Sequence, residues 1–232
     1  MVLVSAVMPT RGRKELAAKA VECFLSQTWL EKELVILDDA DCRSFDQPPE
    51  FAGVRYMIAD KKLKIAAKRN IVCEAAGGDF IIHFDSDDWS APGRIAAQVE
   101  LMMQNEKKAV CGFRKMYFWD TIKKQAWIYS GAEDYVLGTS LMFKRSWWAH
   151  HQWNERFTVG SDNVFVSQAW KARQLIVSPA MDFIVSRNHG GNTNSRQYGT
   201  RWKKTNRELL PADFFKEAIC QQAPEPVACD TD

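Results

Sequence analysis

The sequence predicts an α/β fold with a mostly parallel central sheet and helices on both faces. Three observations predict it. Short apolar runs rich in β-branched and aromatic residues alternate with helical patterns through the first half of the 232-residue chain, the order that builds parallel sheets through crossover helices. Two of those runs end in carboxylates, Asp38-Asp39 and Asp85-Ser86-Asp87-Asp88, and open α/β sheets bind ligands at the carboxyl ends of their strands. A hydrophobic content of 46% and a charged content of 26% fit a soluble globular chain long enough to bury a sizeable core.

Taken in order, Val2 to Met8 reads as a first buried strand. It lacks a basic leader and runs into a turn, so it is not a signal peptide. That turn, Pro9-Thr10-Arg11-Gly12-Arg13, carries two arginines. From Lys14 to Gln27 the apolar residues Leu16, Ala20, Val21, Phe24 and Leu25 recur at helical spacing. Glu33 to Leu37 is a second strand, Gln47-Pro48-Pro49 a loop and Val54 to Ile58 a short third strand. Leu63 to Ala76 reads as a helix bearing Lys68 and Arg69, ended by Gly77-Gly78. Phe80 to Phe84 is the strand that delivers the acidic turn. Ser90 as N-cap and Pro92 in the first turn would open the next helix, which includes Ile95 to Met103.

In the second half, Lys108 to Trp119 and Gln125 to Tyr129 alternate apolar and polar residues as a hairpin does. Gly138 to Arg145 is either the start of a strand or a place where small residues let a ligand approach the backbone. Gly160-Ser161-Asp162 precedes a helix. Met181 to Ser186 reads as a strand, followed by the polar, glycine-rich loop Arg187 to Asn194. Glu208 to Ile219 reads as a terminal helix and the last residues as frayed. The organisation expected is one domain over 1–195 in two halves, 1–105 and 106–195, then a lid or helix over 196–220 and a flexible tail over 221–232.

Three carboxylates within four positions repel one another unless a cation joins them. Oxygen ligands select a hard divalent ion, magnesium or manganese, of the kind that bridges to phosphates. The plain alternative is an acidic turn that caps a helix. A net charge of +2 is too small to argue for nucleic acid. Six cysteines without a C-x-x-C pair suit reduced thiols in a cytoplasmic protein. No G-x-G-x-x-G follows the first strand and no P-loop motif occurs, which argues against a dinucleotide fold and a P-loop nucleotidase. No apolar run approaches the length of a membrane span.

Together, Pro9-Thr10-Arg11, Ile36-Leu37-Asp38-Asp39, Ala67-Lys68-Arg69-Asn70 and Phe84-Asp85-Ser86-Asp87-Asp88 resemble, in order and spacing, the inverting family 2 glycosyltransferases. The resemblance extends over about the first 190 residues. It implies the A-type glycosyltransferase fold, a nucleotide-sugar donor (usually a UDP-sugar), a hydroxyl acceptor such as a bacterial or phage-type glycan, and a manganese or magnesium ion. By position it puts Pro9, Thr10, Arg11, Asp39, Arg69, Asp85 and Ser86 around the donor, with Asp39 toward the base and Thr10 and Arg11 toward base and ribose. It puts Asp87 and Asp88 on the metal, and His189 on the metal or diphosphate. It makes Asp162, in Ser161-Asp162-Asn163-Val164-Phe165, the general base. The family more often has an acid where Ser161 stands, and an aromatic and an asparagine where Arg11 and Gly12 stand.

The residues alone leave alternatives. Asp162 is also well placed to favour a helix N-terminus, Arg69 to sit on a solvated helix face, and His189 to lie on the surface. Gln197 to Trp202 is one residue too long for the Q-x-x-R-W of processive synthases. The basic, aromatic stretch from Arg187 to Arg207 admits a nucleic-acid or modified-base acceptor. A non-catalytic nucleotide-sugar binder is the remaining option, favoured by Ser161.

Overall fold

A computed structural model of the chain describes residues 2–192 and 198–216. Two sheets organise them. The larger has seven strands: β1 (Val4–Pro9), β2 (Lys32–Asp39), β3 (Val54–Ala59), β4 (Phe80–His83), β6 (Val110–Phe113), β9 (Met142–Lys144) and β10 (Leu175–Ser178), in the order β10-β6-β9-β4-β1-β2-β3. β9 runs antiparallel to both its neighbours, while the other pairings are parallel. The smaller sheet holds β5 (Trp89–Ser90), β7 (Lys115–Asp120), β8 (Gln125–Ser130), β11 (Ile184–Asn188) and β12 (Trp202–Thr205), in the order β12-β8-β7-β11-β5.

Residue alternation along the strands divides the large sheet's core in two, as a period of two requires. Val4, Ala6, Met8, Leu34, Ile36 and Ile82 face one side. They pack against Val21 and Phe24 of α1 (Lys14–Leu25) and Ile95 and Val99 of α3 (Arg94–Met103). Val7, Val35, Leu37 and Ile81 face the other, against Val72 and Cys73 of α2 (Ile65–Ala75) and Phe165 and Ala169 of a helix at Ser161–Lys171. Trp148, on the intervening α4 (Arg145–His150), joins that second layer, and the Ser161–Lys171 helix is therefore α5. Strands covered on both faces read as continuous apolar runs, which is why β1, β2 and β4 were legible.

Three elements differ from expectation. Ser90 does not cap a helix. It pairs with Ile184 in β5, its hydroxyl accepts a bond from Arg94 Nη1, and the helix begins only at Arg94 behind Gly93. The anticipated hairpin splits at Arg114: β6 joins the large sheet, and only β7 and β8 form the hairpin. The β6 backbone packs closely on Val136, since a Cβ at Gly112 would lie 2.9 Å from it. Near the end of the described chain, Trp202–Thr205 forms an edge strand on β8. It is followed by a single 3-10 turn at Arg207–Leu209 and the short α6 (Ala212–Lys216), in place of one helix from Glu208. Residues 193–195 of the expected domain, 196–197 and 217–220 of the expected lid or helix, and the tail over 221–232 lie outside the described residues. Cys23, Cys73 and Cys111 are buried. Among the described residues no helix is long and apolar enough to cross a membrane.

Candidate active site

The parallel strands β1, β2 and β4 release their carboxyl ends on one edge of the large sheet. There Pro9, Asp38-Asp39 and the acidic turn emerge side by side. After β4 the chain turns tightly, with Asp88 N–H donating to Asp85 O at 3.3 Å. A pocket opens over this turn. Its wall includes Pro9, Arg13, Arg69, Asp85, Ser86, Asp87, Asp88, Gly138, Thr139, Asp162 and Asn192. Residues from β1, α2, the β4 turn, the 3-10 turn at Gly138–Ser140 and the start of α5 thus meet in one place.

The three carboxylates of the turn have different surroundings. Asp88 is nearly buried, and both its oxygens are engaged: Oδ2 accepts from Thr139 Oγ1 at 2.6 Å and Oδ1 from Arg187 N–H at 3.2 Å. Burial, with the neighbouring charges of Asp87 and Asp85, pushes its pKa up to about 7. Burial also raises the Asp85 carboxyl above its ordinary value; Arg69 opposes this and Asp87 reinforces it. For Asp87 burial acts upward too, but His189 and the charge of Arg13 outweigh it and hold the carboxyl below the usual range. Around Asp87 Oδ2 stand His189 Nε2 at 3.2 Å, Asn192 Nδ2 at 3.4 Å and Arg13 Nη2 at 3.5 Å.

These donors bear on whether a divalent ion fits. Two ligands at right angles on one hard ion, each about 2.1 Å from it, stand about 3 Å apart, close to the separation of Asp87 Oδ2 and His189 Nε2. Oxygen and imidazole nitrogen are also suitable donors for manganese. Among the described residues no group of three or more His, Cys, Asp or Glu could hold a metal ion, so an ion here would take Asp87 and His189 together with the donor's phosphates, with one condition. Gly191 N–H donates to His189 Nδ1 at 3.1 Å, so a neutral ring carries its proton on Nε2 and points that proton at Asp87. To serve as a ligand His189 must exchange tautomers and release the Gly191 bond. Asp88, with both oxygens engaged, braces the Thr139 and Arg187 segments against the turn.

Asp162 lies in the first turn of α5, reached through Gly160 at φ 78°, a left-handed conformation that favours glycine. Among the described residues no side chain caps this helix. The Asp162 carboxylate instead packs on the backbone of Gly138, where an added Cβ would lie 2.8 Å from Asp162 Cβ. It lines the same pocket as the acidic turn. Arg69, expected either around the donor or on a solvated face, is buried. Its guanidinium lies over the Trp153 ring at 5.0 Å, and its Nε has no hydrogen-bond partner among the described residues. A buried cation with an orphaned donor on a pocket wall suits an anionic ligand.

The structure does not bring every anticipated residue to this pocket. Thr10, Arg11 and Asp39 are absent from its wall and form an adjoining cluster. Asp39 is fully buried, 2.7 Å from Lys68 Nζ and 3.7 Å from Arg11 Nε. Arg11 donates to Asp41 at 2.9 Å, and Thr10 Oγ1 lies 2.8 Å from Ser44 Oγ. Lys68 also donates to Thr10 O at 2.7 Å, tying α2 to the β1 end. Sequence reasoning assigned no role to Arg13, Lys68, Thr139 or Asn192. Each stands within three residues of an assigned one or of a motif singled out, but which side chain turns inward is a matter of tertiary register.

With this geometry described, comparison with known proteins is informative. The family model described as Glycosyl transferase family 2 matches residues 5–158. An uncharacterised glycosyltransferase of Haemophilus influenzae is 32% identical over 114 residues, covering 45% of this chain and 44% of that protein. The Escherichia coli protein WfgD, a UDP-Glc:alpha-D-GlcNAc-diphosphoundecaprenol beta-1,3-glucosyltransferase, is 31% identical over 107 residues, covering 44% of this chain and 42% of that protein. The matches thus span less than half the length of these relatives. Residues 1–349 of S. aureus TarS, crystallised with UDP-GlcNAc, superpose with a TM-score of 0.66 at 16% identity, covering 93% of this chain and 64% of that one. That likeness speaks to the fold alone.

Proposed function

The chain belongs to glycosyl transferase family 2 and has the A-type fold, and from that premise we propose that it is a glycosyltransferase that moves a sugar from a UDP-sugar to a hydroxyl acceptor, with inversion at the anomeric carbon. The observation that carries this reading is that Asp162 and the Asp85–Asp88 turn share one pocket with Arg69 and Arg13. Inverting transfer needs a base on one side of the anomeric carbon and charge stabilisation for the departing diphosphate on the other. Supporting the choice of donor, WfgD is named for UDP-Glc and TarS was crystallised with UDP-GlcNAc.

In the proposed mechanism Asp162 accepts the proton of the acceptor hydroxyl as its oxygen attacks the anomeric carbon. The bond from that carbon to the diphosphate oxygen breaks, and its electron pair leaves with the diphosphate. Arg69 supplies a fixed positive charge to that group from a dry wall, where it needs little reorganisation. Asp85 and Ser86 lie beside the donor, and Asp88 keeps the turn in place through Thr139 and Arg187. A manganese or magnesium ion held by Asp87, and by His189 after tautomer exchange, supplies Lewis-acid stabilisation of the leaving group when bound. Thr10, Arg11 and Asp39, in the cluster adjoining the pocket, are assigned to the base end of the donor site, with Lys68 paired to Asp39. A glycan hydroxyl is the acceptor.

Asp162→Asn tests the base assignment. General-base catalysis is worth about 10²–10⁴-fold, so transfer falls by that factor while UDP-sugar binding stays near the parental value. Transfer at the parental rate removes Asp162 from the mechanism.

A further inference from the structure

Arg13 has no role in the reading above beyond lining the pocket, yet its contacts are specific. Its Nη2 lies 3.5 Å from Asp87 Oδ2 and donates to Gly191 O at 3.0 Å, and its Nη1 donates to Ser86 Oγ at 3.4 Å. One guanidinium therefore joins the acidic turn to the loop that carries His189. It also places a positive charge on the carboxylate oxygen that the proposed ion needs. We propose that Arg13 is a built-in counter-cation of the ion seat: it holds Asp87 in place while the seat has no metal, and it makes metal binding depend on the donor's diphosphate.

The reasoning is electrostatic. An ion bound about 2.1 Å from Asp87 Oδ2 sits within about 6 Å of the Arg13 nitrogen. A divalent and a unit positive charge at that separation repel enough to change an equilibrium about tenfold, even at the dielectric constant of water. Asp87 is only about 8% exposed, so solvent relieves little of that repulsion. The diphosphate supplies the missing negative charge. With it present, Arg13 can turn from Asp87 to phosphate oxygens, and both cations are then neutralised. Nucleotide and metal thereby bind cooperatively, and by linkage each raises the other's affinity by the same factor. The arrangement also disfavours a free metal ion in the pocket before the donor arrives. Arg13 acts on the ion through Asp87 and is a positioning residue.

This inference rests on the proposed metal site, so the test separates the two. Manganese binding is measured from the free-ion paramagnetic resonance signal, with and without UDP, for the parent, Arg13→Gln, Arg13→Ala and Arg13→Lys. The Arg13 side chain is partly exposed, and thermal melts confirm that each variant folds. The neutral variants should bind manganese alone about tenfold more tightly than the parent. Their gain in manganese affinity on adding UDP should fall about tenfold, while Arg13→Lys stays near the parent. Neutral variants that bind manganese alone no more tightly than the parent overturn the proposal, and manganese binding that still rises with UDP in the parent then leaves the metal site standing. If no variant binds manganese with or without UDP, the metal site itself is refuted and the role of Arg13 with it.

Discussion

Lys68→Met should destabilise the fold in a way that depends strongly on pH, because it leaves Asp39 without its close partner. Asp39 is fully buried, and apart from Lys68 at 2.7 Å its nearest cation is Arg11 at 3.7 Å. Breaking a buried ion pair from one side typically costs about 3–5 kcal/mol. The loss of the bond from Lys68 to Thr10 O adds about 1 kcal/mol at any pH. The carboxylate can escape its share by taking a proton. Carrying Asp39 as the neutral acid costs about 1.4 kcal/mol for each pH unit above its ordinary value of 3.8. At about pH 5 that route costs about 1.6 kcal/mol, and at about pH 8 about 5.7 kcal/mol. The total penalty should therefore be about 4–6 kcal/mol at about pH 8 and about 2–3 kcal/mol at about pH 5. The sign follows from linkage. Burial already raises the Asp39 carboxyl, with Lys68 opposing. Removing Lys68 raises it further, so the native state holds more protons than the unfolded chain and the variant recovers stability as pH falls. Urea unfolding of parent and variant at the two pH values measures this. A penalty below about 1 kcal/mol at about pH 8, or one equal at both pH values, refutes the account of Asp39.

Two further predictions concern Gly138, on the pocket wall, and His83, whose Nδ1 lies 2.8 Å from Gly138 O. Gly138→Ala puts a Cβ 2.8 Å from Asp162 Cβ, which pushes the start of α5 and the base away. Transfer should fall about tenfold to a hundredfold with UDP-sugar affinity nearly kept, and steady-state kinetics showing the whole loss in KM would contradict it. Burial, reinforced by the charge of Arg69, keeps the His83 pKa well below 6.5, so native His83 stays neutral while the unfolded chain takes a proton below that pH. Its contribution to stability therefore falls on acidification by up to about 1.4 kcal/mol per pH unit. His83→Gln should remove that part of the slope between about pH 7 and about pH 5 in urea titrations. An unchanged slope would show that His83 titrates normally.

How far the sequence foretold this depends on the kind of signal. β1, β2 and β4 are short, apolar and sealed on both faces, so composition alone marks them. The acids follow because a strand end puts its next residues at the sheet edge. Asp162 was legible as a candidate only through the family resemblance, since its place after Gly160-Ser161 at a helix start equally suits a plain N-terminal acid, and its contact with Gly138 required the fold. The split of the expected hairpin at Arg114 was not legible, since β6 and β7 share one alternating pattern while belonging to different sheets. Trp89-Ser90 looked like a helix opening because Ser and Pro carry that local preference, and pairing with Ile184 overrode it. Lys68 and Arg69 are adjacent on α2, and both point inward through different neighbours, one to Asp39 and one over Trp153. Helical periodicity gives no reason for two successive cations to be buried. Only the carboxylate and the pocket that each one meets explain it.

The central claim is that the acidic turn and Asp162 act on the same donor within one pocket. Calorimetric titration of UDP with and without manganese, on the parent, Asp87→Ala and Asp162→Asn, tests it most directly. The account predicts that manganese strengthens UDP binding in the parent and in Asp162→Asn, and that Asp87→Ala loses this strengthening. Manganese-dependent UDP binding that persists unchanged in Asp87→Ala would contradict it.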